Sequence, residues 1–228
     1  GVIYHDMLGD NISAISYYKQ ALTIAREIND RTGEETRLIN LSEAFTTDGQ
    51  YLQAIETAKE SLLIAIELDI PATYEYGYLS KAYLFNGQLV EALINTKEAQ
   101  KFDEPQNNHN ISALHGIIAL RQGERETAQE AFAKSIAQAD EILAKTAEYY
   151  SALDAKGLAL CGLAICDLRL AIERQEELLA EAVKTFKRAR EIAPHAGVVK
   201  SVLRLFDELV KCDEEGVLKD VRKVVEGV

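Results

Sequence analysis

Tryptophan is absent from these 228 residues, methionine occurs once and proline only three times. So few prolines, together with few β-branched runs, leave long stretches free to propagate as helix, and an all-helical chain is predicted. Cysteine is equally sparse, and its count of three is odd. Cys161 and Cys166 stand five apart, on different faces of a predicted helix, so neither a bridge nor a two-cysteine metal spacing is indicated. They read as small buried hydrophobes in a reducing compartment. No apolar run reaches the roughly 18 residues a spanning helix needs, and no signal-peptide pattern precedes the first helix. A cytoplasmic protein is therefore expected. The chain starts at Gly1 without an initiator methionine, partway into an incomplete repeat, and is expected to be a fragment of a longer protein. Basic residues number 25 against 37 acidic, a net charge of −12. That balance argues against nucleic acid, which needs a concentrated Lys/Arg surface, and against anionic membranes. It is read as a solvated outer face that keeps the protein soluble, with an acidic groove for a basic peptide as the alternative.

What the sequence does contain is a repeated phrase. From Gly49 to Leu68 a Gly-polar turn precedes Tyr51, Ala54, Ile55, Ala58, Leu62, Ala65 and Ile66, which form one apolar stripe at helical spacing. The same order of residues recurs around Ala14, Ala92, Ala128 and Ala182, so that the series 14, 54, 92, 128 and 182 runs at successive intervals of 40, 38, 36 and 54 residues. A two-helix unit repeated every 34 to 40 residues or so is the mark of a helical solenoid. The long last interval is expected to hold one extended helix from Ala147 to Ile172. Gly157 and Gly162 within it are expected to let another helix come close.

The final copy, Ala182, Phe186, Ala189 and Pro194, resembles the Ala-x3-Phe pattern and helix-ending proline of the tetratricopeptide repeat (TPR) family. The sets Leu38, Leu41, Ser42, Phe45 and Tyr76, Leu79, Ser80, Tyr83 stand where that family carries Trp, Leu, Gly and Tyr. The resemblance implies an all-α fold, a right-handed α-α superhelix of about five helical hairpins, with further helices covering its C-terminal end. The repeats are expected at residues 1–30, 31–70, 71–105, 106–145 and 146–194, followed by covering helices in residues 195–228. Val198, Val202, Leu205, Phe206 and Leu209 would supply the covering face.

Catalytic constellations are not found. His5, His109, His115 and His195 fall in different repeats without metal-ligand spacing, and His115, beside Gly116, reads as a core histidine. Phosphate-cradling glycine motifs and a serine elbow are missing. The acidic pairs Glu34-Glu35, Glu176-Glu177 and Glu214-Glu215 sit near predicted helix starts, where they offset the helix dipole. The chain is thus expected to be no enzyme and to hold no cofactor and no metal.

In TPR proteins the first helix of each pair lines the inner groove. The resemblance then nominates Thr36, Glu43 and Thr46, next Tyr74, Lys81 and Leu84, then Asn110, Ile117 and Arg121 as a partner-binding set. Their mixture of aromatic, apolar and both charges suits an extended peptide or a partner helix. It does not match the Lys/Asn clamp of chaperone-binding members. The phrase ALTIAREINDRTGE resembles repeat regions appended to bacterial STAND-type (NB-ARC) signalling proteins, whose link Asp and Arg cap and pair at the helix junction. The function expected is a scaffold or sensor module that binds a protein or peptide. Self-association through the terminal helices is one alternative, and a helical regulator using Glu43 or Gln50 catalytically is another.

Overall fold

The computed structural model describes residues 1–166 and 171–227, whose regular secondary structure is all helical, with no strand among them. Among the described residues a short π-helical turn, Ile3–Met7, is followed by eleven α-helices. They are α1 (Asn11–Glu27), α2 (Arg31–Asp48), α3 (Tyr51–Glu67), α4 (Thr73–Phe85), α5 (Leu89–Ala99), α6 (Asn108–Arg121), α7 (Arg125–Leu143), α8 (Tyr150–Cys166), α9 (Ile172–Ile192), α10 (Ala196–Val210) and α11 (Lys219–Glu226). The fold is an all-α, TPR-like array of helical hairpins. The helices gather into two compact units, residues 1–102 with 195–197, and residues 103–194 with 198–228.

Local chemistry sets the helix ends. The Asp10 and Asp30 side chains accept hydrogen bonds from the backbone N–H groups of Ser13 and Gly33, capping α1 and α2. Arg31 pairs with Glu34 in the same first turn and reaches Glu67 of α3, so the Asp-Arg link caps and pairs as expected. Gly49 closes α2 with φ +86°, a left-handed conformation that a side chain would strain. At the other type of junction Asn29 and Asp69, 40 residues apart, occupy the left-handed region at φ 56° and 54°. These two residue types tolerate that region better than most.

In the first unit each helix packs antiparallel on the next from α1 to α5, and α2 also meets α4. In the second unit α6 to α9 pack in the same way, α6 also meets α8, and α11 lies on α9. The alanines that mark the repeat, Ala14, Ala54, Ala92, Ala128 and Ala182, are all fully buried. Where they sit, a partner side chain fills the crossing. Ser42 donates to the Ala54 carbonyl at 2.9 Å, and Ser80 donates to that of Ala92 at 2.8 Å. At the corresponding place in the next repeat Gly116 leaves room for the ring of Phe132. Gly157 and Gly162 also act as close-approach sites, each facing a phenylalanine ring, Phe186 and Phe132 respectively. On α10, Val202, Phe206 and Leu209 are buried, and Phe206 meets Phe186 of α9 edge-on at 6.3 Å.

Several expectations are revised. Near the N-terminus, where Tyr4 is the residue expected to face the core, the buried residue is His5; Tyr4 is half-buried and stacks on Tyr17 at 5.0 Å. The fully buried core histidine is His109, because His115 turns one step off the packing face and is half-buried. The long helix expected from Ala147 to Ile172 begins at Tyr150 and is described to Cys166; the part of that expectation over residues 167–170 lies outside the described residues. Ile172 already belongs to α9, which follows an extended Ala171 at ψ 140°. Glu214 and Glu215 precede α11, whose first residue is Lys219, by several positions.

Candidate partner-binding face

Helices α2 and α4 lie side by side, and together they carry a small polar and aromatic cluster. Tyr74, Tyr78 and Lys81 follow one another at i, i+4 and i+7, which puts them on one stripe of α4. The Tyr78 hydroxyl donates to the Glu43 carboxylate of α2 at 3.1 Å. The Lys81 ammonium lies over the Tyr78 ring, 4.8 Å from its centroid, a cation–π distance. Burial pushes the Tyr78 phenol well above its ordinary range, and the Glu43 charge adds to the shift, so the hydroxyl stays a donor. Tyr74, 43% exposed, presents its ring one turn earlier. Thr36 is half-buried, and its hydroxyl faces the Thr32 carbonyl and the Glu35 carboxylate.

The remaining nominated residues lie elsewhere. Thr46, Leu84 and Ile117 are buried and offer no surface to a partner. A helix flanked by neighbours on several sides keeps only a narrow arc free, and these three fall outside it. Asn110 is held at 3.0 Å by Ser151 of α8 and at 3.1 Å by Asn107. Arg121 forms an ion pair with the buried Glu208 of α10, which also takes Lys211 at 2.5 Å. The set therefore divides into a half-buried cluster on α2 and α4, from which Tyr74 stands exposed, and residues that are buried or engaged in internal contacts. Tyr78, which links the cluster, was missed by taking one fixed set of repeat positions, although its spacing from Tyr74 and Lys81 was legible.

The burial of three titratable groups, Glu35, Glu75 and His109, also escaped sequence reading. Glu35 of α2 and Glu75 of α4 bring their carboxyls into contact, both away from solvent, with Glu75 only 3% exposed. Burial, and then the hydrogen bond with Glu35, raises the Glu75 carboxyl to about 8. Ser61 of α3 donates to the Glu35 carbonyl at 3.2 Å. His109 is driven down to about 4 by burial, and so is neutral. Its carbonyl accepts from Ser135 at 2.8 Å and its ring meets Tyr149 edge-on at 6.0 Å. These groups are closed off from any substrate. Gln50, once a catalytic alternative, donates to Asp48 at 2.8 Å. Among the described residues no group of three or more His, Cys, Asp or Glu could hold a metal ion.

A cleft of about 280 Å³ opens in the second unit beside Arg125, Gln175, Cys212 and Asp213. Its polar lining is spent on helix ends. Arg125 donates to the carbonyls of Ile165 and Cys166 at 3.0 and 3.1 Å, and Gln175 to that of Ala164 at 2.9 Å. Asp213 accepts from the backbone N–H groups of Val217 and Leu218. No described helix is long and apolar enough to cross a membrane.

No family model matches this chain, and no curated protein does. Among solved structures, one titled as the crystal structure of MamA protein is similar, at 19% identity. The likeness covers 78% of this chain and 91% of that one, with a TM-score of 0.42. The fold assignment made above rests on the helix packing of the chain itself.

Proposed function

We propose that this chain is a non-catalytic interaction module that binds an extended peptide or a partner helix across α2 and α4. The observation that carries the reading is the Glu43–Tyr78–Lys81 cluster beside the exposed Tyr74. It offers an aromatic anchor, a fixed carboxylate and a fixed ammonium within one face. Aromatic anchors bordered by oriented charges are what protein partners use as binding hot spots. The neighbouring contacts hold Tyr78 and Lys81 before a ligand arrives, which lowers the ordering cost of binding. The partner is a protein or peptide, and neither nucleic acid nor a membrane suits a chain of net charge −12.

The phrase ALTIAREINDRTGE supports a setting in a larger bacterial signalling protein of the STAND type, in the cytoplasm, where repeats receive a signal and release an effector domain. The test is selection of binders from a displayed peptide library. The recovered peptides are then titrated against the wild type and against Tyr74→Ala combined with Lys81→Glu, with folding checked by circular dichroism. Peptides that bind the wild type and lose about tenfold or more in affinity on the folded double variant support the face. Peptides that bind both equally place recognition elsewhere on the molecule.

A further inference from the structure

Large apolar side chains left in solvent are concentrated on the outer helices of the first unit. On α3, Leu52, Leu63 and Ile66 are 66%, 68% and 61% exposed. Isolated exposed leucines are ordinary, but three aligned on one helix face call for a physical account. The positions 52, 56, 59, 63 and 66 advance by four, three, four and three residues, so Leu52, Glu56, Lys59, Leu63 and Ile66 form one straight stripe. Over this span the helix rises about 21 Å. The buried stripe of the same helix, Ala54, Ile55, Ala58 and Ala65, is already used against the unit's own core.

We propose that this outer stripe of α3 is a docking surface for a second copy of the same chain, packed antiparallel about a two-fold axis. The stripe is complementary to itself in one register. An axis passing midway between Glu56 and Lys59 sets Glu56 beside Lys59 of the other copy, and Lys59 beside its Glu56. The same midpoint lies halfway between Leu52 and Leu63, so each leucine meets the other kind across the axis. One register thus matches charge with opposite charge and apolar with apolar, reciprocally, as an isologous contact requires. A shift of four residues in the pairing sets Glu56 against Leu63. Glu56 and Lys59 are both exposed. Lys59 is held at the α4 edge of the stripe by the Tyr83 ring, 5.7 Å from its ammonium. On the opposite edge Glu60 and Glu67 are occupied by Arg26 and Arg31, so they do not compete for Lys59 of the second copy.

A contact of one helix pair is small, so the association is weak and depends on concentration. Sedimentation equilibrium over a concentration series is the test, with thermal unfolding as the folding control. The wild type is expected to show a monomer–dimer equilibrium. Leu63→Glu, at a solvent-exposed site, is expected to raise the dissociation constant about tenfold or more. Glu56→Lys sets two ammonium groups against each other and weakens the dimer, more so at low salt. Adding Lys59→Glu to that variant restores opposite charges across the axis and returns the constant toward the wild-type value. Tyr74→Ala, on the other face, leaves it unchanged. A monomer at every concentration, a dimer indifferent to Leu63→Glu, or a double reversal no better than Glu56→Lys alone would each overturn the proposal.

Discussion

The ring of Phe132 lies so close against Gly116 that a β-carbon at the glycine would stand 2.5 Å from it. A β-carbon at Gly162, on α8, would stand 2.3 Å from the same ring. Phe132 is fully buried between α6, α7 and α8 and fixes how closely they approach. Replacing Gly116 with alanine improves helix propensity by about 1 kcal/mol. The overpacking against the ring is larger, at about 1–3 kcal/mol. The expected result is a net loss of stability in urea unfolding, and a smaller loss when Phe132→Leu is present. Additive effects of the two changes would show that the contact does not decide the packing.

The crossings in the earlier repeats rest on a hydroxyl in place of that ring. Ser42→Ala and Ser80→Ala each remove a buried donor to a facing carbonyl, at 2.9 and 2.8 Å. Each is expected to cost about 1 kcal/mol. Each carbonyl keeps a second donor, Thr57 on Ala54 at 3.1 Å and Thr96 on Ala92 at 2.9 Å, but Ser80 also shares a buried hydrogen bond with the Thr96 hydroxyl, so Ser80→Ala should cost the more of the two. Chemical denaturation of the single variants measures the order.

Stability should fall as pH rises across the range set by Glu75. Its folded carboxyl is raised to about 8 from an ordinary 4.5, so the folded protein keeps a proton that the unfolded chain releases. Stability from this group is therefore full below about 4.5, declines between about 4.5 and 8, and is level above. Asp154, raised to about 6 by burial against the opposing pull of Arg190, declines in the same direction over a lower range. Glu75→Gln should flatten the upper part of the curve, read as unfolding midpoints at about pH 5, 7 and 9. An unchanged slope between pH 7 and 9 would refute the assignment.

His109 acts in the opposite direction. Lowered to about 4, it stays neutral in the fold while the unfolded chain takes a proton below about 6.5. Its contribution is full above 6.5 and is lost as pH falls toward 4. A non-titrating residue of similar size, His109→Gln, should remove that acid-side loss, whatever its effect at neutral pH. Unfolding midpoints between pH 4 and 7 measure it.

Asp154 and Arg190 form an ion pair between α8 and α9, both buried. Asp154→Ala strands a guanidinium away from water and should cost about 3–5 kcal/mol. Replacing both with apolar residues of similar volume should recover most of that loss, because no unpaired charge then remains. A double variant as unstable as the single one would mean that packing, and not charge, sets the cost.

The repeat period, the all-helical class and most helix ends were legible in the sequence, because each follows from contacts a few residues apart. Alanine at 14, 54, 92, 128 and 182 marks the crossings, Asp10 and Asp30 cap the helices they precede, and Gly49 ends α2. Tyr74 and Lys81, nominated through the resemblance to TPR proteins, stand seven residues apart on one stripe of α4. What it could not decide is which arc of each helix remains free once its neighbours are in place. Thr46, Leu84 and Ile117 occupy positions equivalent to exposed ones in a single repeat, yet they are buried. The pairings of Glu43 with Tyr78, Glu35 with Glu75, and Arg121 with Glu208 join residues 35 to 87 positions apart. Such pairings depend on the angle and spacing at which whole helices pack, and that is set by the summed fit of many side chains. A local pattern determines a helix and its apolar face; only tertiary packing determines which polar groups are left to meet a partner.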